Sequence, residues 1–170
     1  MEAVSYTSIR GTYTIRQCVL EDIDGDVSSV KIALTNAGEV LTNEDEYINN
    51  MLDSIYCDMA VCVELNGERV GFIYLKKDSN LSGKLIAASL HCEDTVGFLL
   101  MLLTIPMEKY YYIMVFPHGK NFVQFKAILT RSSIIKYNKG VSNYVVIKKT
   151  RSITRKFELI AKALNVKEVI

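Results

Sequence analysis

The most informative stretch of the sequence for its fold is Val63-Glu-Leu-Asn-Gly-Glu-Arg-Val-Gly-Phe-Ile73. Its Asn-Gly pair separates two runs of residues that favour β-strands, 59–64 and 69–75. A type I′ turn needs positive φ at both central residues, and Asn-Gly is the pair that supplies them most readily. The stretch therefore predicts an antiparallel hairpin near the middle of the chain.

Upstream of the hairpin, the pattern predicts one strand followed by two helices. Residues 13–18 alternate in polarity and favour a strand. A first helix is predicted between about residues 22 and 38, and its apolar stripe consists of Val27, Val30, Ile32 and Leu34. Asn43 is predicted to cap a second helix with its side chain, because three acids follow it in the first turn. Residues 1–11 are polar and are predicted to form a loose arm.

Downstream of the hairpin, the predicted elements alternate between strands and helices. The predicted strands are 84–91, 110–116, 134–137 and 143–148, and the predicted helices are 94–105, 121–129 and a last helix from Ser152. Antiparallel strands that lead into a β-α-β crossover imply a mixed sheet with helices on both faces. The predicted fold class is therefore α/β, with an N-terminal arm (1–11), one domain (12–149) and a basic amphipathic C-terminal helix (150–170).

Composition limits the classes of function. The chain has 170 residues, of which 49% are apolar and 23% are charged, and these values suit a single globular domain. Twenty basic side chains face nineteen acidic ones, so net charge predicts no bulk attraction to nucleic acid or to an anionic membrane. The longest apolar run, 96–106, is too short to cross a bilayer, and no signal peptide is visible. We expect a cytoplasmic protein with no membrane or nucleic-acid partner.

The cysteines do not form a metal-binding pattern. They are Cys18, Cys57, Cys62 and Cys92, none of which belongs to a CxxC pair, and the chain has only two histidines. We therefore predict no metal site, and we expect the cysteines to be reduced core residues.

The succession of elements over residues 12–149 resembles the GNAT N-acetyltransferase fold. The hairpin of residues 63–73 is similar to a hairpin in the middle of that family, and Asn121 matches the position of the family's Asn after the central strand. The resemblance implies an acyl-CoA site at the start of the central helix. There the family has a Gln/Arg-x-x-Gly-x-Gly/Ala loop, whose backbone N–H groups cradle the pyrophosphate of CoA.

The corresponding stretch of this chain, residues 91–98, departs from the family pattern. It contains a single glycine, Gly97, and Glu93 and Asp94 bring two carboxylates near the position that the family's pattern gives to two phosphates. At about 4 Å and an effective dielectric near 20, each like-charge contact costs roughly 4 kcal/mol. Ile128 stands where the family often has the Tyr that protonates the leaving thiolate. The resemblance therefore implies the fold and disfavours the chemistry.

Two functional classes stay open. The first is a non-catalytic interaction or structural protein that keeps the GNAT scaffold, similar to GNAT-like chains encoded by bacteriophages and found in virions, and no cofactor is expected for it. The second is an N-acyltransferase that transfers an acyl group from acetyl-CoA to an amine. For the second class, the catalytic candidates are Glu93 and His118, and the candidates for binding the cofactor are Asp94, Thr95, Val96, Gly97 and Asn121. The structural alternative is that Asp94 caps the helix and Glu93 complements its dipole.

The C-terminal helix is the candidate for contacts with a partner. Basic side chains outnumber acidic ones there, and an apolar stripe follows helical spacing. One interpretation is a solvated face on a helix that packs against its own sheet. The other is a docking arm for an acidic protein partner or a second copy of the chain, formed by Arg151, Arg155, Lys156, Phe157, Ile160 and Leu164.

Overall fold

The computed structural model describes residues 2–36, 38, 40–77, 84–104, 111–115, 135–136, 144–147, 155, 158–159, 162–163 and 165–169. Within them, nine strands form one sheet in the order β7-β8-β6-β5-β4-β3-β2-β1-β9. The strands are β1 Val4–Ser8, β2 Gly11–Gln17, β3 Ala60–Leu65, β4 Glu68–Lys77, β5 Lys84–Cys92, β6 Tyr111–Val115, β7 Ile135–Lys136, β8 Tyr144–Ile147 and β9 Lys167–Glu168. The helices are α1 Ile23–Asn36, α2 Glu44–Tyr56 and α3 Thr95–Thr104, and a short 3-10 turn, Leu20–Asp22, precedes α1.

The central hairpin has the turn that the sequence predicts. Asn66 and Gly67 have φ angles of 52° and 85°, so both central residues lie in the left-handed region. The two strands pair with a shift in register: Val63 lies opposite Gly71, and Glu64 lies opposite Arg69. Val70 is therefore an extra residue, which makes a β-bulge.

The sheet carries a helical layer on each face. Side chains of successive strand residues point to opposite faces. On one face, α1 and α2 form a core with Cys62, Phe72 and Tyr74 of the sheet. On the other face, α3 contacts β3, β4 and β2. The mixed α/β class predicted from the sequence is confirmed.

The pair of β5 and β6 opens part-way along. The two strands are parallel, and their pairing covers Lys84 to Ile86 on β5 and Tyr111 to Ile113 on β6. Both strands continue beyond these residues, to Cys92 and to Val115. Within the described residues the two strands are therefore paired only over this first part. β5 stays paired with β4 up to Cys92, and α3 begins just after it.

Four predicted details differ from the structure. The loose arm is wrong for Val4–Ser8, which form β1 and pair with β2. The C-terminal helix does not reach residue 170, because Lys167 and Glu168 form β9. Asn43 precedes α2 with φ 52° and makes no side-chain cap. Ile32 was predicted on the buried stripe of α1 and is 63% exposed, because it points away from the sheet.

The predicted helix of residues 121–129 lies outside the described residues. Among the helices that the structure describes, none has both the length and the apolar character that crossing a membrane requires.

Candidate functional site

The start of α3 is organised by the carboxylate of Asp94. This residue is 6% exposed, and its Oδ1 accepts a hydrogen bond from the backbone N–H of Gly97 at 2.9 Å. Its carbonyl oxygen accepts the N–H of Phe98, also at 2.9 Å. Asp94 therefore caps α3, and its carboxylate takes up a backbone donor in the first turn.

Two side chains from the β1–β2 hairpin bind the same carboxylate. The hydroxyl of Tyr13 donates to it at 2.9 Å, and Nη1 of Arg10 donates to Oδ2 at 2.8 Å. Burial, and after it the hydrogen bond to Asp94, raises the pKa of Tyr13 to about 12, so the hydroxyl stays a proton donor. Arg10 compensates the charge of Asp94, so this carboxylate would repel a phosphate less than the sequence predicts.

Gly97 has a packing role at this position. A Cβ atom added to it would lie 3.1 Å from Cγ1 of Val63 and 3.6 Å from Cγ2 of Val70. The first distance is tighter than ordinary van der Waals contact, so a larger residue would push α3 away from β3. The approach of the helix to its own sheet is a sufficient reason for glycine here.

Glu93 differs from its neighbour because it lies in solvent. Its side chain is 71% exposed, and Oε1 lies 3.4 Å from Nε2 of His91, whose side chain is 11% exposed. The ring of His91 also packs on Phe72, with 5.8 Å between the ring centroids. Glu93 is accessible to a ligand, whereas His91 is largely part of the core.

The other predicted site residues are only partly described. Thr95 is the first residue of α3, and Val96 is buried in its first turn. His118 and Asn121 lie outside the described residues, so the catalytic role of the first and the cofactor-binding role of the second stay predictions.

The C-terminal helical residues expose one face. Arg155, Leu159 and Lys162, which follow one another at spacings of four and three, are all exposed, and Leu159 is 57% exposed. Residues at this spacing share a helix face. Of the residues predicted to dock a partner, Arg155 lies on this face, and Arg151, Lys156, Phe157, Ile160 and Leu164 lie outside the described residues.

A second cluster of charges, which the sequence pattern did not predict, lies between α1 and the sheet. Asp26 is completely buried and accepts hydrogen bonds from Nε of Arg69 at 2.6 Å and Nη2 at 2.5 Å. The hydroxyl of Tyr74 donates to the same carboxylate at 2.5 Å. Burial opposes the charge of Arg69 most strongly, but the hydrogen bonds to Asp26 together with the charges of Asp26 and the two neighbouring cysteines raise the pKa of Arg69.

The network continues to the edge of the cluster through Asp22. Its carboxylate accepts two hydrogen bonds from Arg16, at 2.8 and 3.0 Å, and one from Arg69 at 3.3 Å. Arg16 also reaches Glu64 at 3.0 Å. Asp22 is half-buried; burial tends to raise its pKa, but the hydrogen bonds and the two guanidinium charges lower it below its usual value.

The sequence contains a signal for this cluster. Asp26 stands one residue before Val27, on the stripe that α1 turns towards the sheet, and an acid on a buried stripe requires a partner. The partner, Arg69, is 43 positions away, and the bulge at Val70 turns its side chain to the α1 face. Sequence pattern alone does not locate such a bulge.

Two cysteines lie beside the same charges. The Sγ atoms of Cys18 and Cys62 and a carboxylate oxygen of Asp22 lie within 4.8 Å of one another, a spacing that suits metal ligands. Two guanidinium groups already bind Asp22, and Arg69 Nη2 lies 3.4 Å from the sulfur of Cys18. A divalent cation would meet both positive groups, so the surroundings disfavour metal.

No protein-family model and no curated protein sequence matches this chain. Solved structures do match it. RimJ of Mycobacterium smegmatis, in complex with CoA-disulfide, has a TM-score of 0.58 at 11% identity, and the match covers 98% of this chain and 96% of that one. A GNAT-family acetyltransferase of Bacillus cereus has a TM-score of 0.54 at 15% identity, covering 83% and 100%. This chain has the GNAT fold.

A third GNAT-fold neighbour is the PaiA N-acetyltransferase of Thermoplasma acidophilum, in complex with coenzyme A. Its TM-score is 0.53 at 18% identity, and the match covers 81% of this chain and 99% of that one. The resemblance stated from the sequence is confirmed for the fold. Identities this low show the GNAT fold alone, so activity has to be argued from the residues of this chain.

The roles of Asp94 and Glu93 separate in a pair of alanine variants. We expect Asp94→Ala to lower the free energy of unfolding by about 2–4 kcal/mol, because α3 loses its cap and the hydroxyl of Tyr13 loses its acceptor. Arg10 adds little to this loss, because its side chain is 59% exposed. Urea unfolding monitored by circular dichroism measures the effect.

Glu93→Ala is the matched control, since it removes the adjacent, exposed carboxylate. Its expected effect is within about 0.5 kcal/mol. Equal losses in the two variants would show that Asp94 has no special structural role.

The buried ion pair gives a second prediction. Arg69→Met leaves the Asp26 carboxylate buried without its cation, and we expect a loss of about 3–5 kcal/mol in the free energy of unfolding. The control is Lys31→Met, which breaks a 2.6 Å ion pair with Glu44 whose side chains are 47% and 42% exposed. This exposed pair is expected to contribute less than about 1 kcal/mol. A loss in Arg69→Met as small as in the control would contradict the assignment.

Proposed function

We propose that this chain is a non-catalytic protein on the GNAT scaffold, which acts through contacts with other proteins and does not bind acyl-CoA. The observation that carries the proposal is the 2.9 Å hydrogen bond from the N–H of Gly97 to Asp94. The GNAT resemblance implies that the N–H groups at this helix start bind the pyrophosphate of CoA. In this chain an internal carboxylate occupies one of them.

Displacing that carboxylate is costly. Asp94 is buried, and Tyr13 and Arg10 hold it in addition to the helix N-terminus. A phosphate that took the N–H of Gly97 would leave a buried carboxylate with fewer donors. Glu93, exposed beside it, adds a negative charge that solvent and salt screen in part.

The alternative is an acyl-CoA-dependent N-acetyltransferase that acts on an amine. Coenzyme A in the PaiA structure and CoA-disulfide in the RimJ structure give it support by analogy. The β5–β6 pairing stops at Ile86 and Ile113, which is compatible with a ligand between the carboxyl ends of the two strands. Acetyl-CoA would then be the cofactor, and the binding experiment below decides between the two functions.

Acetyl-CoA is expected not to bind. We expect isothermal titration calorimetry to give no heat of binding, and millimolar acetyl-CoA to leave the melting temperature unchanged. A ligand at 100 times its Kd would stabilise the chain by about 2.7 kcal/mol, so binding with a micromolar Kd would be obvious.

The PaiA N-acetyltransferase is the positive control for this assay. If this chain binds acetyl-CoA with a micromolar Kd, the non-catalytic proposal is wrong and the N-acetyltransferase is favoured. If Asp94→Ala binds and the native chain does not, the carboxylate is the reason for the loss of binding.

The partner surface that we propose is the exposed face of the C-terminal helical residues. Arg155 and Lys162 carry its positive charge, and Leu159 places an exposed apolar side chain between them. A basic face of this kind suits an acidic protein surface, on a partner or on a second copy of the chain. Association with a bacteriophage particle stays a prediction.

Charge reversal tests this surface. Arg155→Glu/Lys162→Glu is expected to abolish association while leaving the melting temperature within about 2 °C, because substitutions at exposed positions affect stability little. Sedimentation velocity at low and high salt measures the association. Glu158→Gln, on the same exposed face, is the opposite test: it removes a negative charge, so it is expected to associate at least as tightly as the native chain. A native chain that sediments as a monomer at every salt and protein concentration would contradict self-association.

A further inference from the structure

Cys18 and Cys62 meet on the α1 face of the sheet, although 43 residues lie between them in the sequence. The N–H of Cys18 donates to the carbonyl of Ala60 at 2.9 Å, and Arg16 lies opposite Cys62 in the β2–β3 pairing. Because residues 16 and 18 point to the same face, the two cysteines are diagonal neighbours across these strands. Their sulfur atoms lie within 4.8 Å of each other.

The surroundings of the pair favour a thiolate on one sulfur. The adjacent Cys18 thiol is the largest cause that lowers the pKa of Cys62, burial opposes it, and the charges of Arg69 and Arg16 assist. The pKa of Cys18 is raised by its interaction with Cys62 and by burial, so Cys18 is the thiol partner. A thiolate is the form of cysteine that attacks oxidants, and cationic neighbours promote it.

We propose that Cys18 and Cys62 form an oxidisable pair, which a small hydroperoxide converts to an intramolecular disulfide between the end of β2 and β3. The oxidant has to be small, because Cys62 is completely buried and Cys18 is 5% exposed. A local opening of the α1 layer would admit hydrogen peroxide more readily than a bulky disulfide such as oxidised glutathione.

The reaction has two balanced steps. The Cys62 thiolate attacks one peroxide oxygen, the O–O bond breaks, and a sulfenic acid forms while the other oxygen leaves as water or an alcohol after taking up a proton. The Cys18 sulfur then attacks the sulfenic sulfur, an S–S bond forms, the S–O bond breaks, and water leaves with the thiol proton. The two thiols lose two electrons, and the hydroperoxide gains them.

The disulfide would close the segment that carries both α1 and α2. This segment leaves β2 after Cys18 and returns in β3 at Cys62, and its helices cover one face of the sheet. A cross-link between its ends restricts the unfolded chain, so the oxidised protein is expected to melt about 5–10 °C higher. Reduction with dithiothreitol is expected to reverse the shift.

Cys57 and Cys92 give the controls. Cys57 is exposed, so Cys57→Ser is used as the background to prevent bonds between molecules. Cys92 is buried elsewhere, where its thiol donates to the carbonyl of Asp94 at 3.0 Å. In this background the folded protein is treated with millimolar hydrogen peroxide, denatured and alkylated, and its intact mass and disulfide-linked peptides are measured.

The expected result is the loss of two hydrogens, with Cys18 and Cys62 linked and Cys92 alkylated. The same treatment in urea is expected to lose this selectivity, which shows that the fold pairs the two sulfurs. Cys18→Ser is expected to gain oxygen at Cys62 instead of losing two hydrogens, whereas Cys62→Ser, which lacks the attacking thiolate, is expected to keep its remaining thiols. Three alkylated thiols after peroxide treatment, a link that includes Cys92, or oxygen addition without a link would overturn the proposal. The peptide map of the background protein decides even if a serine variant fails to fold.

Discussion

The burial of one carboxylate, that of Asp26, constrains the whole α1 face of this protein. A buried carboxylate costs several kcal/mol unless a cation and further donors surround it. Arg69 and Tyr74 supply them, and both belong to β4. Arg69 reaches Asp26 because the extra residue at Val70 turns it to that face. The bulge, the ion pair and the position of α1 on the sheet therefore depend on one another.

On the opposite face of the sheet, a buried carboxylate also determines the local structure. There, Asp94 binds a backbone N–H group that a ligand could otherwise bind. The first turn of α3 offers backbone N–H groups, and Asp94 takes that of Gly97. Gly97 itself lets α3 approach Val63 closely. In this chain the carboxylate of Asp94 takes the N–H of Gly97 in the first turn of α3, so the cap of this helix comes from the chain itself.

Local sequence pattern predicted the elements whose causes are local. Asn66-Gly67 fixes the hairpin turn, and the apolar run after Asp94 gives α3, so the mixed sheet and the GNAT resemblance followed from them. The residues around β1 are polar, so they did not predict a strand. β1 lies near the edge of the sheet, where a strand needs no strongly apolar pattern. At the site, Arg10 and Asp94 are 84 positions apart, and their contact depends on strand order and register. A contact between such distant positions cannot be predicted from the local pattern of one sequence. For the same reason, Arg69 was not predicted as the partner of Asp26.

The strand next to the N-terminus pairs with the strand farthest along the chain. Tyr6 lies opposite Glu168, and Thr7 lies opposite Lys167. During synthesis on the ribosome, β1 can pair with β2 at once, but its outer edge has no neighbour until residues 167–168 emerge. An unpaired strand edge is a template for association with other chains. On the nascent chain, β1 therefore presents an open backbone edge until residues 167–168 have been made and pair with it.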